Sequence, residues 1–279
     1  MHHVKLGVAL SRLHPQHHLE ATLEAERLGY ESVWMADHLA FPLSMSGSPH
    51  VGAELPPVPP ETPVFDTFGW LCFLAGRTSR IRLGTNVYLL ALRHPFAAAR
   101  AVQTLDLVSG GRAEIGVGAG WLREEWRAAG LDPRSRGRRL DEALAVCQRL
   151  WSESAVEHHG HFYDFAPVAF EPKPLQKPWP PIHVGGDSER ALARAARHDG
   201  WIGLVETPDA AARFVARLRA LRREAGREHA RFEVTLHGRD VDVLAPWEDA
   251  GVDRLVISPW QRSRDWQDGL RRVADRLLR

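Results

Sequence analysis

The sequence predicts a (β/α)8 TIM barrel of the α/β class on three observations. Short apolar, strand-like runs alternate with helical periods along the whole chain, eight such strands can be counted, and polar or glycine-rich residues stand where several of them end. A length of 279 residues falls within the range of one eightfold α/β barrel. Neither a break in composition nor a repeat at fixed period divides the chain, so residues 1–279 read as a single domain.

Residues 4–10 form the first apolar run, and residues 19–28 have helical period with Gly29 just beyond their end. Residues 32–36 are strand-like again. Residues 38–63 carry Pro42, Pro49, Pro56, Pro57, Pro59 and Pro60, which exclude a regular element and predict a long rim loop after the second strand. Residues 68–75 read as helix, 81–90 as strand, 96–108 as helix closed by Gly110-Gly111, and 113–117 as strand. A helical piece starts near Leu122. A longer helix over 138–151 places Leu140, Ala143, Leu144, Cys147 and Leu150 on one face. Residues 155–174 break the alternation, with aromatic and β-branched residues around Gly160, and predict a hairpin inserted before the fifth barrel strand. The alternation then resumes with strands over 181–184, 201–205, 232–236 and 254–258. Helices over 189–197, 210–224 and 266–278 follow, with a stunted one near 246–250.

Composition narrows the function classes. Hydrophobic residues at 44%, charged residues at 25% and a net charge of +1 describe an ordinary globular enzyme-sized chain, without the basic excess of a nucleic-acid partner. No apolar run nears the roughly 18 residues of a membrane helix, and the chain opens directly into a strand-like run, so a cytoplasmic location is expected. Cys72 and Cys147 lack metal spacing and read as small core residues.

In such barrels chemistry sits at the C-terminal ends of the strands. The second strand ends in Asp37-His38, the third contains Asn86-Val87, the fourth runs into Gly116-x-Gly118-x-Gly120-Trp121, and the fifth into Gly185-Gly186-Asp187-Ser188. Glycines let backbone N–H groups approach an anion or a flat ring, and Gly185 to Ser188 before a helix suits a phosphate. Trp121 stands where a dinucleotide fingerprint beginning at Gly116 needs its third glycine, which disfavours a Rossmann reading. Tight turns without a ligand would leave the same glycines. His38 can move a proton near neutral pH, although an Asp-His pair at a strand end can also be merely solvated. Trp121 can cover a planar ring by stacking, whereas most of the other tryptophans read as packing. His158, His159 and His161 match no zinc spacing, and no metal site is expected.

These motifs resemble the luciferase-like monooxygenases and their coenzyme F420-dependent relatives. The likeness covers nearly the whole chain. It is densest from Thr78 to Thr85, through Leu92-Arg93-His94-Pro95 and Leu107 to Arg112, to Gly116–Trp121, with Gly29 to Trp34 and Pro180 to Gly186 in support. The resemblance implies a flavin-type cofactor on the rim: Asp37 and His38 beside its ring, with His38 as the catalytic acid/base, and a non-proline cis peptide at Asn86-Val87 behind it. Ala119, Gly120 and the turn Gly185, Gly186, Asp187, Ser188 would meet its ribityl and phosphate portions. Some sugar-phosphate dehydrogenases of the family place a glutamate where Trp121 stands, so that substrate class is not expected; Glu124 and Glu125 follow without an assigned role.

The expected function is hydride transfer between F420, the preferred cofactor, and a small organic substrate. The alternatives are an FMN-dependent monooxygenase using oxygen and a partner flavin reductase, a non-catalytic flavin-binding barrel, and a metal-dependent hydrolase, which the strand ends supply poorly. The resemblance further implies a homodimer, with neither nucleic acid nor membrane as partner.

Overall fold

The computed structural model of the protein describes residues 3–49, 58–238 and 241–278. Eight parallel strands close into a barrel: β1 (Lys5–Ala9), β2 (Ser32–Met35), β3 (Arg82–Thr85), β4 (Ala113–Val117), β7 (Ile182–Gly185), β8 (Gly200–Gly203), β9 (Glu233–His237) and β10 (Arg254–Ile257). They run round the barrel as β1-β10-β9-β8-β7-β4-β3-β2, and the pairing of Lys5 with Arg254 through Val8 with Ile257 closes the ring. The inserted segment is an antiparallel hairpin, β5 (Val156–His159) and β6 (Asp164–Val168), outside the barrel.

The helices fall where the apolar periods place them, including α1 (His18–Leu28), α2 (Thr67–Ala75), α3 (Pro95–Val108), α4 (Arg123–Ala128), α5 (Arg136–Ser152), α6 (Glu189–Ala195), α7 (Pro208–Glu224), the short α8 (Ala245–Asp249) and α9 (Trp266–Leu277). Gly29 ends α1 at φ 93°, a left-handed conformation that side chains rarely adopt. The described parts of the loop after β2 hold no strand or α-helix; residues 50–57 of the predicted 38–63 loop lie outside the described residues. No helix among the described residues is long and apolar enough to cross a membrane.

Two expectations are corrected. The predicted strand over 81–90 stops at Thr85, because Asn86 N–H donates to Met35 O on β2 (2.7 Å) while Tyr88 N–H donates to Gly116 O on β4 (2.8 Å). Residues two apart in a regular strand address the same neighbour, so the change of partner marks a one-residue bulge. Cys147 is fully buried as expected, but Cys72 on α2 is only half-buried.

The interior has two layers of different character. At the strand starts Arg254, wholly buried, pairs with Glu31 (2.9 Å) and Glu233 (3.0 Å), while Glu114 accepts from Arg82 (2.5 Å) and meets His183 Nε2 at 2.6 Å. Burial would push the Glu114 carboxyl up, but the His183 hydrogen bond and the Arg254 and Arg82 charges outweigh it and hold it down to about 2. Glu114, His183 and Glu233 offer ligand atoms within 4.8 Å of one another, but the Arg254 guanidinium lies 3.8 Å from Glu114 and fills the cationic place among them. Charge buried at the bottom of a barrel concerns stability. Nearer the C-terminal ends the lining is apolar: Ala9, Trp34, Ile202 and Val256, with Val87 packed against them.

Candidate active site

The four strands whose ends carry the candidate residues, β2, β3, β4 and β7, are consecutive in the barrel, so their loops form one arc of the C-terminal rim. Asp37-His38 leaves β2, Asn86-Val87 leaves β3, Ala119-Gly120-Trp121 follows β4, and Gly185 to Ser188 follows β7. Neighbouring strands lie about 5 Å apart, so an arc of four spans the length of a tricyclic ring with a phosphorylated side chain.

Asp37 and His38 face opposite ways, as neighbours on an extended chain must. The buried Asp37 carboxylate is gripped by both terminal nitrogens of Arg93 (2.7 and 2.9 Å), by Leu89 N–H (2.9 Å) and by the Thr67 hydroxyl (3.1 Å). Burial would lower the Arg93 guanidinium, but the Asp37 hydrogen bonds and charge raise it. These bonds tie the end of β2 to the segment just after the Asn86-Val87 bulge, so Asp37 braces the bulge from within the fold.

His38 turns the other way and is only partly covered. Its Nδ1 lies 2.9 Å from Glu125 Oε2, its ring packs on Phe41 at 4.4 Å, and Trp121 stands edge-on at 6.2 Å and 82°. Glu125, on α4, is 2% exposed, and its other oxygen accepts from Leu39 N–H (2.6 Å) and more weakly from Ala40 N–H (3.4 Å). Glu124 beside it accepts from the Ser46 hydroxyl (2.7 Å), so α4 holds the loop after β2 at two places.

The peptide between Asn86 and Val87 is cis, as the resemblance implies. The Val87 side chain explains two of the rim glycines: a Cβ on Gly118 would come within 2.5 Å of Val87 Cγ2, and one on Gly185 within 2.7 Å of Val87 Cγ1. Any side chain at either position would push Val87 out of its place. Val87 thus reaches from the arc onto the apolar barrel lining of Ala9, Trp34, Ile202 and Val256. Gly120, at φ 75°, needs its left-handed backbone to turn the chain towards Trp121.

The turn after β7 is less free than its composition suggests. Gly186, at φ 116°, donates its N–H to Ile202 O (3.1 Å), and the Ser188 hydroxyl caps α6 by accepting from Ala191 N–H (3.3 Å). Basic charge lies close by. Arg123 opens α4, Arg136 opens α5 and Arg190 lies in the first turn of α6; burial first, then the charges of Arg123 and Arg190, lowers the Arg136 guanidinium. Arg194, one turn beyond Arg190, donates to Gly137 O (3.2 Å), which fixes α6 against the start of α5. Among the described residues Arg123 and Arg190 have no acidic partner.

The residues therefore fit a flat cofactor with an anionic tail: an apolar lining kept open by glycines, an aromatic edge, a histidine, and the guanidinium groups of Arg123, Arg136 and Arg190 near the β7 turn, which itself carries Asp187. Sequence reading names Glu125 without giving it a role and misses Arg93, Phe41 and the three arginines, although Arg93 lies in a quoted motif. The histidines of the hairpin contribute nothing here. His158 pairs with Glu142 (3.2 Å) and the exposed His159 with Asp164 (2.5 Å). Trp34 and Trp201 are buried, donating to Ser32 (2.7 Å) and Gly186 O (2.9 Å).

A barrel with this rim defines a class, and comparison with known proteins places the chain in it. The family described as luciferase-like monooxygenase matches residues 2–241, and the chain belongs to that family. An uncharacterized protein of Mycobacterium tuberculosis is 34% identical over 237 residues, covering 84% of this chain and 81% of its own. A phthiodiolone/phenolphthiodiolone dimycocerosates ketoreductase of Mycobacterium bovis is 30% identical over 226 residues, 78% of this chain and 59% of its own. Among solved structures, the coenzyme F420-dependent tetrahydromethanopterin reductase of Methanopyrus kandleri has a TM-score of 0.78 at 18% identity over 99% of both chains. An F420-dependent secondary alcohol dehydrogenase gives 0.79 at 17% identity, over 99% of this chain and 98% of its own. The monooxygenase RslO1 of Streptomyces bottropensis gives 0.78 at 20% identity, over 99% of both. At these identities the structural likeness concerns the fold.

Proposed function

We propose that the protein is a coenzyme F420-dependent oxidoreductase that transfers a hydride between the deazaflavin and a small organic substrate. The observation that carries this reading is His38 beside Trp121, on an arc of four adjacent strand ends from which Val87, given room by Gly118 and Gly185, packs against the apolar lining of the barrel. The names of the two F420-dependent structural neighbours and of the ketoreductase relative support it.

In this reading Val87, on its bulge, backs the ring, and Asp37 and Arg93 hold the bulge in register. Trp121 limits water on the His38 side, Ala119 and Gly120 give close backbone approach to the side chain, and the β7 turn with Arg123, Arg136 and Arg190 holds the anionic end. The deazaflavin supplies a two-electron hydride acceptor or donor when bound. His38 takes up or delivers the proton that accompanies the hydride. The chain works as a homodimer in the cytoplasm. An FMN-dependent monooxygenase, with reduced flavin from a partner reductase, is the second reading, favoured by the likeness to RslO1.

The test is oxidation of reduced F420 against a panel of small ketones and aldehydes, with His38→Ala beside the wild type. The proposal expects wild-type turnover, and a variant that binds F420 but turns over about 10²- to 10⁴-fold more slowly. Unchanged turnover in the variant would remove His38 from the chemistry.

A further inference from the structure

We propose that Glu125 is a positioning residue that fixes the tautomer of His38. The proposal rests on the reading of His38 as the proton-handling residue, but its physical content lies in the chain alone. An ionised carboxylate only accepts hydrogen bonds. One Glu125 oxygen takes Leu39 N–H at 2.6 Å, with Ala40 N–H at 3.4 Å, and the other faces His38 Nδ1 at 2.9 Å. Nδ1 must therefore carry a proton. In the neutral ring Nε2 is then the bare nitrogen, able to accept a proton, and no residue described in the structure bonds to it. A neutral imidazole with the opposite tautomer would set its Nδ1 lone pair against the carboxylate and leave Nε2 unable to take up a proton.

The same contacts make this more than loop anchoring. Leu39 N–H and Ala40 N–H are backbone donors that cannot change role, whereas an imidazole can exchange its two nitrogens. In Glu125→Gln the amide oxygen therefore stays with Leu39 N–H, the amide NH2 donates to His38 Nδ1, and the ring proton moves to Nε2. The variant keeps shape and volume and reverses the polarity of the residue that handles the proton. Glu124 provides the control, since it grips the same loop through Ser46 (2.7 Å) and does not touch His38.

The experiment is nitrogen-15 NMR of the full chain labelled at histidine, at a pH where the His38 ring is neutral. His38→Gln identifies its resonances among those of the 15 histidines. The proposal expects a pyrrole-like Nδ1 and a pyridine-like Nε2 in the wild type and in Glu124→Gln, and the exchanged pattern in Glu125→Gln. A pyridine-like Nδ1 in the wild type overturns it, and that reading needs no Glu125 variant to fold. An unexchanged pattern in a folded Glu125→Gln also overturns it. If that variant does not fold, Glu125→Asp, which keeps an acceptor-only group, must retain the wild-type pattern, and loss of it counts against the proposal. The spectra require no cofactor. An Nδ1–H tautomer in a protein that binds neither F420 nor FMN would therefore defeat the functional reading while leaving the Glu125–His38 relationship standing.

Discussion

Arg93 holds Asp37 with both terminal nitrogens, at 2.7 and 2.9 Å, and through it joins the end of β2 to the segment behind the Asn86-Val87 bulge. The pair is largely withdrawn from solvent, with Arg93 at 14% exposure and Asp37 at 0%. Removing one partner leaves the other buried and uncompensated, which typically costs about 3–5 kcal/mol. Arg93→Ala and Asp37→Ala should therefore each lower the midpoint of chemical denaturation strongly, and the double variant should lose much less than the sum. Additive losses would show that the pair is not coupled.

Val87 and the glycines facing it should behave as one unit. Gly185→Ala places a methyl 2.7 Å from Val87 Cγ1, so Val87 must move and its place on the apolar lining is lost. Titration with F420 should show about 5- to 150-fold weaker binding, since a displaced contact of this kind costs about 1–3 kcal/mol. Adding Val87→Ala should restore part of the loss, because the shortened side chain clears the new methyl.

The three arginines should act on charge and not on the ring. Arg136→Ala and Arg190→Ala should each weaken F420 and FMN binding and flatten its dependence on ionic strength. Riboflavin, which has the ring and no phosphate, should bind the variants and the wild type equally. Equal weakening for riboflavin would place these arginines elsewhere than at the anionic end.

His198, between α6 and β8, should contribute to the loss of stability in mild acid. Burial lowers its pKa to about 4, and its unfolded value is near 6.5. A lowered folded value means that the unfolded chain binds the proton first. Stability is full above about pH 6.5 and falls as the pH drops towards 4, by at most about 3 kcal/mol for this group. His198→Leu should make the fall of the denaturation midpoint over that window shallower, the remainder coming from His18 and His94, which burial also lowers. A second loss, below about pH 4.5, should persist in the variant, because Glu114 is held down to about 2 by His183 and the arginines.

The fold was legible because each element carries its own local signal. The apolar face of α5, Gly29 after α1 and the four strand-end motifs are all visible in short windows. The hairpin was legible for the opposite reason, since β-branched and aromatic residues around Gly160 break the helical period. The relationships that make the site were less so. Glu125 meets His38 across 87 residues of sequence and Arg93 meets Asp37 across 56, and no local pattern announces either pairing. Val87's demand for glycine at 118 and 185 is equally non-local, so the glycines read as turns or ligand contacts where part of their reason is a neighbouring side chain. The β3 boundary failed because a bulge has the same apolar composition as the strand it interrupts.

The central claim is that this rim holds a deazaflavin, and equilibrium titration of the purified chain with F420 and with FMN, followed by absorbance and fluorescence, tests it most directly. The account predicts saturable one-to-one binding of F420, tighter than that of FMN and weakened by Gly185→Ala. Saturable binding of FMN alone would contradict the deazaflavin assignment, and no binding of either would contradict the site itself.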